Sequence, residues 1–290
     1  MDIRLLPKEE LTSYDGPPIP RQTAAATYEN LRSLCVEGNL KDFHDAMDSL
    51  FSNSQTEIFD IVDLHDVMIE AIQRDRVALV SILLFYGLTI TPSYTQMATA
   101  YKAKGVLECF LEAGWDINEP VDALKPPVLS YAVTDIEMTS WLLEHGANPN
   151  AQCEVDCTPL SYAVRNASLS VIKLLLNHGG DAQKGQLLQY AVCRDEELED
   201  VVSLLVDRGA PLNATMYQDG PTFMRFFPLS LGTALHVATE QGKANAIRLL
   251  IRLEADTSVK DANGDTALEW AQKWNETEMV KLLGDLEDRS

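Results

Sequence analysis

Positive charge is scarce in this 290-residue chain: 23 lysines and arginines stand against 44 aspartates and glutamates, a formal net charge of −21. Direct binding to nucleic acid or to an anionic membrane relies on cationic patches, so neither is expected. A surface of this sign keeps a protein soluble, or attracts a basic segment of a partner. Long apolar runs are also missing. Nothing approaches the ~20 residues of a membrane helix. Met1–Gly16 carries Asp2, Arg4, Lys8, Glu9, Glu10 and Asp15 where a secretory leader would be apolar. The five cysteines, at positions 35, 109, 153, 157 and 193, are odd in number and scattered. That pattern predicts free thiols in a reducing compartment, cytoplasmic or nuclear. Cys153 and Cys157 are the nearest approach to a metal-binding pair, but a structural zinc site wants a second pair and none follows, so no metal is expected. There is no GxSxG elbow, no GxxxxGK phosphate loop and no HExxH. Catalytic residues and cofactors are therefore not expected either.

What the chain has in quantity is repetition. Cys157–Gly179 reads as two short helices back to back. Thr158-Pro159 opens the first, a hydroxyl cap followed by a proline suited to a first turn. Asn166-Ala167-Ser168 interrupts the pattern, Val171, Ile172, Leu174, Leu175 and Leu176 form the stripe of the second helix, and Gly179 stops it. One such hairpin cannot bury its own stripe. Related segments stand on either side: VLSYAV at 128–133, WLLEHGANPN at 141–150, LLQYAV at 187–192, LLVDRGAPLN at 204–213, GTALHVA at 232–238 and GDTALEWA at 264–271. Thr233 and Thr266 lie 33 residues apart, as do Gly146 and Gly179.

A 33-residue period with TALH-type boxes and LLxxGAxxN resembles the ankyrin-repeat family. The resemblance implies an all-α solenoid of about eight helix-turn-helix repeats with short β-hairpin fingers. It also implies that another protein is bound through the concave face, by variable positions on the fingers and first helices. On this reading residues 1–22 are a Pro-containing arm and 23–290 the solenoid. Degenerate repeats occupy 28–114, regular repeats 126–213, an insertion 214–231, and C-terminal repeats 232–284. The expected product is a monomeric scaffold or adaptor. The alternatives are a regulatory adaptor such as a transcriptional co-regulator acting through a DNA-binding partner and, with no motif in its favour, an enzyme with a groove pocket.

Departures from the period mark candidate sites. Gly179 to Leu188 spans only 9 residues and Gly209 to Leu235 spans 26, so one finger is cut short and about a dozen residues are inserted elsewhere. The insertion carries Met216, Tyr217, Phe223, Met224, Arg225, Phe226 and Phe227. Aromatic residues, methionine and arginine are the usual anchors of an interface core, so Tyr217, Phe223, Arg225, Phe226 and Phe227 are partner-binding candidates. Equally, the aromatics could fold back and fill the gap between repeats. On the first helices the candidates are Arg165 with Asn166, Glu240 with Gln241, and Lys273 with Trp274. Tyr131, Tyr162 and Tyr190 recur at one repeat position and are expected to pack between repeats. The resemblance assigns His236 a structural role, bridging backbone groups of adjacent repeats. The acidic turn Arg194–Asp200 is expected to be solvated.

Overall fold

The computed structural model describes residues 21–52, 59–218, 222 and 231–287. They form sixteen α-helices in eight consecutive pairs, and backbone contacts divide them into two compact units, with the boundary between Val121 and Asp122.

The N-terminal unit contains α1 (Ala25–Glu37), α2 (Leu40–Ser52), a 3-10 turn (Ile61–Leu64), α3 (His65–Gln73), α4 (Val77–Phe85), α5 (Pro92–Ala100) and α6 (Lys104–Glu112). The first helices α1, α3 and α5 pack in a row, and the second helices α2, α4 and α6 in another. Its start is tied down by carboxylates. Asp63 accepts the backbone N–H groups of Gln22 and Thr23, and Arg21 pairs with Asp66 at 2.5 Å.

The C-terminal unit contains α7 (Leu129–Ala132), α8 (Ile136–Glu144), α9 (Pro159–Asn166), α10 (Leu169–Asn177), α11 (Leu187–Ala191), α12 (Leu198–Asp207), α13 (Ala234–Glu240), α14 (Ala244–Arg252), α15 (Ala267–Lys273) and α16 (Thr277–Glu287). The first helices again line up, α7 on α9, α9 on α11, α11 on α13 and α13 on α15. Val171, Ile172, Leu175 and Leu176 of α10 are all 5% exposed or less. At roughly 1.5–3 kcal/mol for each buried aliphatic side chain, such stripes supply the main stabilisation of each repeat. Thr158 caps α9 in a reciprocal box with Ser161, as the Thr-Pro opening predicts.

Among the described residues the expected β-hairpin fingers are not formed, and the only strand-like pairing is one isolated bridge, Asp122 with Lys125. The finger loops close locally, each on a side-chain oxygen that accepts the N–H two residues on. Asn148 takes Asn150 at 2.9 Å, Asp181 takes Gln183 at 2.9 Å, Asp256 takes Ser258 at 2.9 Å and Asp261 takes Asn263 at 2.8 Å. Backbone groups satisfied in this way have no call on a ladder. The asparagine that ends each LLxxGAxxN box then joins successive fingers. Asn150 donates to Gly179 O at 2.8 Å and accepts Asp181 N–H at 2.7 Å, and Asn213 accepts Asp256 N–H at 2.9 Å.

Helix exits need a left-handed residue, and Gly146, Gly179 and Gly209 supply it at φ 92°, 90° and 89°. Glu254 stands at the equivalent place in the seventh repeat, exposed and held at φ 65°. A side chain pays about 1 kcal/mol for that conformation. Glu254→Gly should therefore raise the unfolding free energy by about 1 kcal/mol, readable as a higher denaturation midpoint at unchanged slope.

Candidate protein-binding surface

Three of the positions that follow the leucine of the TALH box reach the next repeat, with three chemistries. His236 is buried, 1% exposed. Its Nδ1 accepts Thr233 N–H at 3.1 Å, which leaves Nε2–H to donate to Asp265 O of the next repeat at 3.0 Å. Ser161 accepts Thr158 N–H at 3.0 Å and donates to Gly185 O at 2.6 Å. Gln189 donates to Ala214 O at 2.8 Å. In the eighth repeat Glu269 turns back to accept Thr266 N–H at 2.8 Å. The expected bridge of His236 is present, the same two-sided bridge is built from Ser161, and Gln189 makes its outgoing half; sequence reasoning missed both. The signal was available in the alignment of LSYAV, LQYAV and LHVA. Gly185 is part of it: at φ 79°, a Cβ there would meet Ser161 Oγ at 2.3 Å.

These bridges hold the finger loops of the fifth and sixth repeats against the start of the insertion, and a cavity of about 450 Å³ opens between them. Its wall is rich in amides: Gln152, Gln183, Gln186, Gln189 and Gln218, with Asp156 at the centre. Asp156 accepts Gly185 N–H at 3.0 Å, Gln152 Nε2 at 2.6 Å and the Gln186 amide. Gln186 Oε1 in turn accepts Tyr217 N–H at 3.2 Å. The surface is thus set by a connected network and not by mobile ends.

The insertion begins and ends at one place, since Met216 N–H donates to Gly232 O at 3.1 Å. Tyr217, a partner-binding candidate, is turned inward. It is 2% exposed, at φ 52°, and its hydroxyl lies 3.0 Å from that of Tyr190. At this residue the insertion packs the gap between repeats, because an aromatic ring at the root of a loop finds its nearest apolar surface inside. Phe223, Arg225, Phe226 and Phe227 lie outside the described residues. Tyr162 and Tyr190 are buried, with Tyr131 half-buried and its ring 6.3 Å from that of Tyr162, so the tyrosine ladder is packing. Burial pushes the phenols of Tyr162, Tyr190 and Tyr217 well above their ordinary value.

The first-helix candidates are accessible in part. Asn166, Gln241 and Lys273 are exposed, Arg165 and Glu240 half-buried, and Trp274 is 62% exposed with its ring 6.1 Å from Trp270. Lys273 is engaged with Asp265 at 2.8 Å. The acidic turn is not simply solvated. Arg194, whose side chain is 7% exposed, donates to Val164 O at 2.9 Å and pairs with Glu197 at 3.3 Å. Glu197 also accepts Leu169 N–H at 3.0 Å, capping the start of α10. Asp195 and Glu199 reach Lys243 and Arg252 of the next repeat, both at 2.5 Å. The five cysteines are free, and no cluster of metal-binding side chains occurs among the described residues.

Paired helices and glycine exits recur through both units, boxed openings in the C-terminal one, and the family model of ankyrin repeats matches the chain three times, over residues 95–186, 129–216 and 217–288. The chain belongs to the ankyrin-repeat family. Among curated relatives, the ankyrin repeat protein nuc-2 of Neurospora crassa is 29% identical over 166 residues, 56% of this chain and 14% of that protein. The ankyrin repeat and KH domain-containing protein mask-1 of Caenorhabditis elegans is 29% identical over 236 residues, 77% of this chain and 8% of that protein. The chain therefore spans only a small fraction of these relatives. The human ASB11 ankyrin repeat domain superposes with a TM-score of 0.48 at 21% identity, covering 70% of this chain and 90% of that one. Ankyrin repeats are general protein–protein interaction modules, typically non-enzymatic. No helix among the described residues is long and apolar enough to cross a membrane.

Proposed function

We propose that this ankyrin-repeat chain is an adaptor whose C-terminal unit takes an extended segment of a partner protein across its finger loops and first helices. The observation that carries this reading is the amide-lined groove around Asp156 and Gln186. A glutamine amide both donates and accepts, which is what the backbone of an extended peptide requires. A surface already held by its own hydrogen bonds lowers the ordering cost of association. Basic side chains on the partner suit the net charge of −21. Asn166, Gln241 and Trp274 extend the same surface, and Phe223, Arg225, Phe226 and Phe227 remain candidates on the insertion. The adaptor works without direct nucleic-acid contact, as a monomer, in cytoplasm or nucleus.

A photo-crosslinking residue placed in turn at Gln183, Gln241 and Trp274, with exposed Lys173 of α10 as control, tests the reading. One crosslinked protein shared by the first three and missing from Lys173 is the expected result. Equal capture at Lys173 would show that the surface has no preference. In parallel, residues 219–230 alone should be exchanged for a Gly/Ser turn, because Met216, Tyr217 and Leu231 are buried. Loss of the partner from that variant assigns recognition to the insertion.

A further inference from the structure

The second helices of the N-terminal unit end unlike those of the C-terminal unit. After α8 and α10 the exit glycine is preceded by His145 and His178, whose Nδ1 atoms meet the carbonyls of Trp141 at 2.7 Å and Leu174 at 2.9 Å. A donor there answers the unsatisfied carbonyls and the partial negative charge of the helix end. After α4 and α6 the same place is held by Tyr86 and Ala113, and neither helix has a basic residue in its last turn.

Aromatic rings gather at these ends. Phe85 closes α4 and is 80% exposed, and Phe51 near the end of α2 is 42% exposed. Phe51 lies against Tyr86 with the rings tilted and their centroids 4.7 Å apart, and meets Phe59 edge-on at 5.5 Å. On the other side of α4, a groove of about 770 Å³ is lined by Leu84, Leu88, Ile90, Trp115 and Pro120. The rim is acidic: Asp116 and Glu119 border the groove, and Asp48 holds the Tyr86 hydroxyl. Arg76 and Lys104 stand at the opposite ends of α4 and α6.

We propose that the C-terminal ends of α2, α4 and α6 form a second docking surface, for a basic amphipathic helix of a partner protein. Its apolar side chains take the Trp115 groove and cover Phe85 and Phe51. Its lysines and arginines meet Asp48, Asp116 and Glu119 and the partial negative charge at the C-terminal ends of α4 and α6. Three neighbouring helix ends at 8–10 Å spacing span about 20 Å, the length of roughly 14 helical residues. A second copy of this chain is disfavoured as occupant by its like charge.

The probe is a fluorescent 16-residue peptide with leucine at i, i+3, i+4 and i+7 and lysine elsewhere, titrated into the full chain and followed by anisotropy. A counterpart with glutamate for lysine is the charge control. The lysine peptide should bind and the glutamate peptide should not. Phe85→Ser removes an exposed ring, and Ala113→Arg restores a cation at the end of α6. Each should weaken binding at least tenfold, while Lys173→Ser, on neither proposed surface, leaves it unchanged; loss of binding in Phe85→Ser places the peptide on the N-terminal unit and keeps this outcome separate from that of the finger groove. Failure of the lysine peptide to bind, or binding within twofold of wild type in Phe85→Ser, would overturn the proposal, the latter by showing diffuse charge attraction only. Sedimentation as a dimer that Phe85→Ser converts to monomer would also overturn it, in favour of a second copy.

Discussion

Tyr217→Ala is expected to destabilise the C-terminal unit by roughly 3–5 kcal/mol, the cost of emptying a buried aromatic site. The ring is 2% exposed, its backbone N–H is held by Gln186, and its hydroxyl lies 3.0 Å from Tyr190. Truncation thus opens a cavity and leaves the Tyr190 hydroxyl stranded. Tyr217→Phe keeps the volume and should cost only about 1 kcal/mol, the net worth of one hydrogen bond. Chemical denaturation of the three proteins measures both. If Tyr217→Ala folds with wild-type stability, the root of the insertion is not a packing element. The buried phenols add a pH signature. Tyr162, Tyr190 and Tyr217 are held neutral by burial, with folded-state values above the ordinary phenol value. The unfolded chain therefore releases protons first as pH rises past about 10, and the folded state loses stability from there upward. Each tyrosine contributes about 1.4 kcal/mol per pH unit in that range. Stability below pH 9 should be insensitive to these phenols, and Tyr217→Phe should make the alkaline fall shallower, the rest being carried by the other raised groups such as Tyr94 and Cys35.

The second large effect is expected at His236. Replacement by leucine strands two backbone groups at once, Thr233 N–H and Asp265 C=O, which the ring now satisfies at 3.1 and 3.0 Å. An unsatisfied buried group costs 1–3 kcal/mol, so a loss of about 3 kcal/mol is expected. Because a repeat array couples mainly through its neighbours, the loss should be local. Amide hydrogen exchange should quicken in Asp261–Lys273, the loop and helix beyond the broken bridge, and change less in α9 and α10. His236→Gln, with an amide like that of Gln189, should recover part of the stability. Uniform acceleration across both units would instead mean that the bridge serves global folding.

The ankyrin pattern could be read from local chemistry alone. Helix periodicity, the Thr-Pro opening and exit glycines are one-dimensional signals, because caps and amphipathic stripes act within a turn or two of the backbone. They located the eight helix pairs, whereas the structural role of His236 came from the family resemblance. Ser161 and Gln189 escaped that reading because a hydroxyl and an amide in a first turn look like ordinary polar residues. Their acceptors, Gly185 O and Ala214 O, lie 24 and 25 residues away. The β-hairpin fingers were expected from the family pattern, but Asx turns satisfied the loops first.

What only the tertiary structure decided is which polar or aromatic side chain finds a partner across space. Tyr217 looks like an interface anchor in a hydrophobic run and is sealed against Tyr190. Arg194 and Glu197 look like a solvated charge cluster, yet one docks on Val164 O and the other caps α10. Phe85 lies in the apolar segment VALVSILLF, where it reads as core, and is 80% exposed. Sequence determines the period and the stripe, because those follow from backbone geometry. The fate of an individual side chain depends on what the neighbouring repeat places opposite it, and that is settled only when the repeats stack.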